Sequence, residues 1–168
     1  NPSKGRAAAS RWLEGHVVEG ARMTQVAFHF NAPDKLAYVC RLVRKATRQD
    51  ARVTVTGDAD TLLRLDRQLW ALAPSDFVGH CLGDADEEIL RASPTVLVQD
   101  PRTSPNRDVL VNLGNVLPEG FAQYARVVEV FSQADEDDRK RARERWRGYA
   151  ALGYDIVRHD LVLTASAG

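Results

Sequence analysis

The chain has little of what would mark a metalloprotein, a disulfide scaffold, a membrane protein or a general polyanion binder. Its two cysteines, Cys40 and Cys81, stand far apart. That gives neither a disulfide framework nor the close pairs of a zinc site, and it makes a reducing, cytoplasmic setting the default expectation. No apolar run approaches the roughly 20 residues of a membrane helix. The residues ahead of Met23 lack the apolar centre of a secretory leader. With 23 cations against 23 carboxylates the formal net charge is zero. Any attraction to an anionic partner must therefore come from a local patch. There is no internal repeat, low-complexity tract or interdomain linker, and 168 residues suit one domain with a sizeable core.

Short apolar strands alternating with amphipathic helices fill the chain from Met23 onward. Met23 opens directly into a strand-like run, so residues 1–22 read as upstream or foreign sequence and 23–168 as the domain. Ala7–Val18 carries enough apolar residues for one or two helical turns. Val26–Phe30 reads as a strand, and Pro33 suits the first position of a helix whose buried face is Leu36, Val39, Cys40 and Val43. Arg52–Gly57 is rich in β-branched residues. Asp58 can cap a second helix with apolar positions Leu62, Leu65, Leu69 and Trp70. A turn-rich stretch with Pro74, Gly79 and Gly83 follows. Further strands are expected at Thr95–Val98, Asp108–Leu113, Val127–Phe131 and Asp155–Val157, with a polar loop at Pro101–Arg107 and room for a short helix at Pro118–Tyr124. This order predicts an α/β domain built on a mostly parallel, twisted sheet with helices on both faces.

Such a sheet invites a nucleotide, yet the loop that would hold one is missing. The first strand runs into Asn31-Ala-Pro-Asp-Lys-Leu, which has no glycine for close approach to phosphate. Gly57 after the second strand is followed by Asp58 and Asp60, which repel phosphate. His29, His80 and His159 are not paired with a nucleophile, no serine stands in a nucleophile elbow, and the carboxylates at 84, 86, 87 and 88 read as a solvated loop. No catalytic, cofactor-binding or metal-binding residue is assigned. One alternative stays open, a small nucleotide-dependent or phosphoryl-transfer enzyme with Asp100, at the end of an apolar strand, as metal ligand. The competing reading is that Asp100, before Pro101, begins a turn.

The densest signal lies near the C-terminus. Asp135-Glu-Asp-Asp138 precedes Arg139–Gly148, and acid before base is the order a helix dipole favours, with Gly153 placed to end the helix. At 100° per residue the alternating Arg139, Arg141, Arg143, Arg145 and Arg147 cannot share a face. Arg139, Arg143 and Arg147 form one stripe, and Trp146 stands beside it. Trp146 has two readings, an aromatic plate on a basic ridge or a core residue with Ala142 and Tyr149.

Three segments together resemble the chi subunit of the bacterial DNA polymerase III holoenzyme. They are Val26–Phe30; Leu65-Asp-Arg-Gln-Leu-Trp70 with Phe77-Val-Gly-His-Cys-Leu82; and Ala142-Arg-Glu-Arg-Trp-Arg-Gly-Tyr-Ala-Ala-Leu-Gly-Tyr154. The resemblance implies a nucleotide-binding-like fold without a phosphate loop and without catalytic activity. It implies two partners, the psi subunit of the clamp loader and the acidic, phenylalanine-ended C-terminal tail of single-stranded-DNA-binding protein, with single-stranded DNA reached only indirectly. For the tail it points to Arg139, Arg143, Trp146 and Arg147, with Phe131 lining the pocket. Trp146 stands where the family usually has tyrosine. For psi it points to Phe77, with Trp70, Val78 and Leu82 around it. Core packing competes as a reading for both Phe77 and Trp70.

Overall fold

The computed structural model describes residues 17–18 and 21–161. Val17–Val18 (β1) and Ala21–Arg22 (β2) pair antiparallel in a small separate ladder. Val17 and Val18 are therefore extended, not the end of a helical turn; the rest of the expected turn, Ala7 to His16, lies outside the described residues.

Seven strands make the main sheet: β3 (Gln25–Ala32), β4 (Val53–Thr56), β5 (His80–Leu82), β6 (Thr95–Val98), β7 (Val109–Asn112), β8 (Arg126–Ser132) and β9 (Ile156–Asp160). Their order is β5-β6-β4-β7-β8-β3-β9 and every neighbouring pair is parallel. All four residues of β4, β6 and β7 are buried, as expected of central parallel strands covered on both sides. Four helices, α1 (Lys35–Arg48), α2 (Ala59–Trp70), α3 (Glu87–Ala92) and α4 (Glu136–Ala151), do the covering. On one face Val53, Val55, Val109, Val111, Val128 and Val130 pack against Val39 and Val43 of α1 and Leu62, Leu65 and Leu69 of α2. On the other, Val26, Phe28, Leu110 and Val127 pack against Ala142 and Tyr149 of α4. Full burial of side chains of this size is worth about 1.5–3 kcal/mol each.

Local differences from the sequence reading have local causes. Asp34, not Pro33, marks the start of α1, because its carboxylate accepts from the Ala37 backbone N–H and satisfies an otherwise orphaned donor. His80–Leu82 adds an edge strand inside the turn-rich stretch. Among the acidic residues, Glu87 and Glu88 belong to α3, although all four remain exposed. The expected helix at Pro118–Tyr124 is only a 3-10 turn, Phe121–Gln123. The Pro101–Arg107 loop is more than a connector. Thr54 Oγ1 donates to Ser104 Oγ at 2.7 Å, and the buried Asn106 amide donates to the Val53, Ser93 and Pro94 carbonyls. This polar plug ties the loop to β4.

His29 of β3 is buried against Tyr38 of α1, to whose hydroxyl its Nδ1 is hydrogen-bonded, and its Nε2 has no hydrogen-bond partner among the described residues. Burial, then the positive charge of His159, Arg126 and Lys45, holds its pKa down at about 3. The folded state thus resists a proton that the unfolded chain accepts near pH 6.5. Stability present above pH 6.5 is lost as pH falls towards 3. Denaturant unfolding at pH 7.5 and pH 5.5, above the ordinary carboxylate range, should differ by about 1–1.5 kcal/mol. His29→Phe should flatten most of that slope; an unchanged slope would place the titration elsewhere.

Candidate functional site

The helix α4 is set by its two ends. Asp135 caps it, accepting from the Asp137 and Asp138 N–H groups at 3.0 and 3.1 Å. At the other end Gly153, at φ 88°, takes the left-handed conformation, and Tyr154 N–H reaches back to the Tyr149 carbonyl at 3.1 Å. That is a Schellman closure, which glycine permits without strain. Asp138, although in the acidic run, is buried. It accepts from Ser132 N–H at 2.8 Å and Lys35 Nζ at 3.1 Å, tying α4 to the ends of β8 and α1.

Its rotation is set from inside. Arg145 is only 2% exposed, and its Nε donates to Glu129 Oε1 at 2.8 Å. Tyr149 Oη and Asn112 Nδ2 donate to the other Glu129 oxygen at 2.6 and 2.8 Å. Burial pushes the Glu129 carboxyl up against the pull of Arg145, Asn112 and Tyr149. Burial and the neighbouring Glu129 push the Tyr149 phenol up as well. Arg145 is therefore a core residue, not part of a surface run. Gly148 lets the same helix lie close to Leu117, whose Cδ1 would stand 2.8 Å from an added Cβ.

With α4 held this way, its outer stripe faces a cavity of about 490 Å³. The cavity is lined by Arg139, Ala142, Arg143, Trp146 and Arg147 of α4, Phe131 of β8, Phe28, Phe30 and Asn31 of β3, and Arg158 of β9. The structure thus brings together every residue that the sequence singled out for acidic-tail binding. Trp146 resolves both of its readings at once. It packs edge-on against Phe28, ring centres 5.0 Å apart, while also forming the cavity wall. Phe30 and Phe131 stack at 5.9 Å and complete an aromatic floor. A bulge in β3, with Asn31 at φ 64°, lets the strand turn here, and Asn31 donates to Asp160 at 3.0 Å.

Among the described residues no carboxylate lines this cavity. Of its cations, Arg139 pairs with Glu136 at 3.1 Å, whereas Arg143, Arg147 and Arg158 have no ion pair among the described residues. Sequence reasoning missed Arg158 because it ended the last strand at Val157. The strand continues to Asp160, and the period of two that puts Ile156 on the α4 side puts Arg158 there as well.

The second group of site residues is divided. Trp70 and Phe77 are 62% and 41% exposed, with ring centres 5.2 Å apart, so Trp70 leaves the apolar face of α2 on which its spacing placed it. His80 packs against both rings; its Nδ1–H donates to the Val78 carbonyl at 2.7 Å and its Nε2 lies 3.1 Å from Asp66. Val78, by contrast, is 2% exposed in the core beneath α1 and α2, and Leu82 is half-buried against that core. Neither offers the surface that its neighbours do. Val78 is inward because β5 begins two residues later and the chain must already lie against the sheet.

A crevice also opens where the chain leaves β4 one way and β7 the other, the usual ligand position in an open parallel sheet. It presents Asp58, Asp100 and Glu119. Asp58 caps α2 through the Thr61 N–H at 2.7 Å. Asp100 caps the turn Pro101–Thr103 and takes a bidentate pair from Arg102, whose hydrogen bonds hold its carboxyl below the usual range; Arg102 also pairs with Glu119 at 3.0 Å. The turn reading of Asp100 therefore holds, and among the described residues no free cation lines the crevice to receive phosphate. Among the described residues no group of three or more metal-ligating side chains occurs. Thermal melts with millimolar ATP, GTP or NADH plus magnesium should be flat, since a ligand at a hundredfold excess over its Kd would add about 2.7 kcal/mol. A reproducible rise of several degrees would revive a nucleotide site.

An open parallel α/β sheet with a cationic, aromatic-floored cavity against α4 defines a nucleotide-fold-like domain whose candidate site lies away from the switch-point crevice. Residues 23–157 match the family described as DNA polymerase III chi subunit, HolC, and the chain belongs to that family. It is similar to the DNA polymerase III subunit chi of Pseudomonas aeruginosa, 30% identical over 144 residues that cover 83% of this chain and 98% of the relative. Against the subunit of the same name from Escherichia coli K12 the identity is 28% over 120 residues, 70% of this chain and 80% of the relative. Its role is accordingly that of a replication subunit. No helix among the described residues is long and apolar enough to cross a membrane.

Proposed function

We propose that the chain is a non-catalytic, cytoplasmic bridge, joining the clamp loader through a psi subunit to the acidic C-terminal tail of single-stranded-DNA-binding protein. The observation that carries this reading is the cavity of α4, β3, β8 and β9. It combines aromatic walls with Arg143, Arg147 and Arg158, and among the described residues no carboxylate lines it. A peptide rich in carboxylates and ending in an aromatic residue answers both halves: the ring enters the apolar floor and guanidinium forks take the carboxylates. DNA itself is reached through that partner, because the aromatics converge in one cavity instead of recurring along a groove that tracks a strand. Calorimetric titration of the full chain with such a tail peptide should show one site whose affinity falls with salt. Absence of binding at low salt would sink the reading.

The psi contact rests on the exposed pair Trp70 and Phe77. Two large aromatics side by side in solvent form an anchor of the kind that carries most of the energy at protein interfaces. Phe77→Ala and Trp70→Ala should abolish co-purification with psi while leaving the tail titration unchanged. Retention of psi by both variants would exclude this surface.

A further inference from the structure

We infer that His80, pinned by Asp66, is the positioning residue that holds Trp70 and Phe77 in one arrangement for a partner. This rests on the reading of that pair as the psi contact and names what orders it. Both rings are largely in solvent, yet each rests against a side chain that solvent does not reach. The His80 ring centre lies 5.1 Å from that of Trp70 and 5.7 Å from that of Phe77. His80 is itself held from two directions. Nδ1 lies 2.7 Å from the Val78 carbonyl, in the stretch that leads into β5, and Nε2 lies 3.1 Å from Asp66 Oδ1 of α2. With a proton on each nitrogen the ring donates to both acceptors. Turning the ring over would set C–H groups against a carbonyl and a carboxylate, so both its plane and its facing are fixed.

Asp66 stands one turn before Trp70 on α2, where side chains four apart are neighbours. Its carboxylate therefore ties the helix that carries Trp70 to the edge strand that follows Phe77. Among the described residues Asp66 makes no other ion pair. Large aromatic side chains in solvent sample several rotamers, and a partner that binds one arrangement must immobilise them, at a cost in affinity. Packed on a ring that cannot turn, Trp70 and Phe77 keep their 5.2 Å spacing and 42° tilt before the partner arrives. His80 never touches the partner in this role, since its side chain is fully covered.

Titration of the full chain with purified psi, with melting curves alongside, tests this. His80→Phe keeps a ring against the pair but cannot bind Asp66. H80F and Asp66→Ala should each weaken psi binding about tenfold, the loss expected when two side chains must be ordered on binding. The double variant should lose no more than either single, because Asp66 acts through His80. Asp66→Asn, whose amide can accept from Nε2 or donate to it, should bind psi like wild type. Losses that multiply in the double variant overturn the assignment, because Asp66 then meets psi by itself. So does a D66A that binds like wild type, or a D66N that loses as much as D66A. If H80F melts well below wild type, D66A against D66N decides alone: Asp66 is partly exposed, and a pair of that kind adds little to the fold. A wild type that does not bind psi, or a Trp70→Ala variant that binds it undiminished, removes the contact reading itself and the positioning role with it.

Discussion

Arg145→Ala is expected to destabilise the fold by about 3–5 kcal/mol, the usual consequence of removing one partner of a buried ion pair. Glu129 would keep its place at full burial with only Tyr149 and Asn112 as donors, and a cavity would open between α4 and β8. Glu129→Leu should be at least as damaging. Arg145 Nη1 and Nη2 already lack hydrogen-bond partners among the described residues, and the guanidinium would lose its counter-charge. The double variant Glu129→Leu, Arg145→Met should recover much of either loss, because an apolar pair of similar volume avoids desolvating two charges. Urea unfolding of the four proteins measures this directly. If Arg145→Ala unfolds like wild type and instead loses a ligand, the arginine belongs to the surface and the packing of α4 has been misassigned.

The second large effect concerns affinity. Arg143→Ala should weaken binding of the acidic tail tenfold or more, since a charge-assisted hydrogen bond is worth about 1.5–3 kcal/mol. Arg143 is central in the stripe and lines the cavity with Trp146. Arg139→Ala should cost less, its guanidinium being shared with Glu136 at 3.1 Å. Arg147→Ala should also cost less, because it stands at the end of the stripe where solvent screening is stronger. Arg141→Ala should leave affinity almost unchanged: at 100° per residue it points about 160° away from Arg143 and does not line the cavity. Arg145, which occupies a similar azimuth to Arg141 in the alternating run, cannot serve as a second control because its loss unfolds the site. Trp146→Ala should reduce both affinity and melting temperature, as its ring packs on Phe28. Equal losses for Arg141, Arg143 and Arg147 would indicate diffuse charge attraction without a defined pocket.

The place of Arg145 was partly visible in the sequence. It falls at i+3 from Ala142 and four before Tyr149, on the helix's one apolar stripe, and Glu129 stands alone among the valines of β8. A lone carboxylate in an apolar strand and a lone arginine on an apolar stripe are the signature of a buried pair. The alternation of arginines hid it, because five identical residues invite one explanation. Trp70 fails in the opposite direction. Its spacing continues the Leu62, Leu65, Leu69 face, but it is the last residue of α2 and meets Phe77 and His80 at the edge of the sheet, which leaves most of its surface in solvent.

By itself the sequence determined the parallel α/β class, the positions of the central strands and helices, and the absence of a phosphate loop. Each follows from periodicity, capping residues and glycine placement, which are local in the chain. It also placed Arg139, Arg143, Trp146 and Arg147 on one side of a helix, because helical geometry is fixed once the helix is granted. Tertiary structure alone decided which sides of those elements meet. It set α4 by burying Arg145 on Glu129, brought Phe28, Phe30 and Phe131 under the arginine stripe through the β8-β3-β9 order, and carried Arg158 to the opposite wall. These contacts join residues distant along the chain, between Phe28 and Arg158. Strand order and helix rotation are settled by summed packing over the whole sheet, which no local pattern encodes.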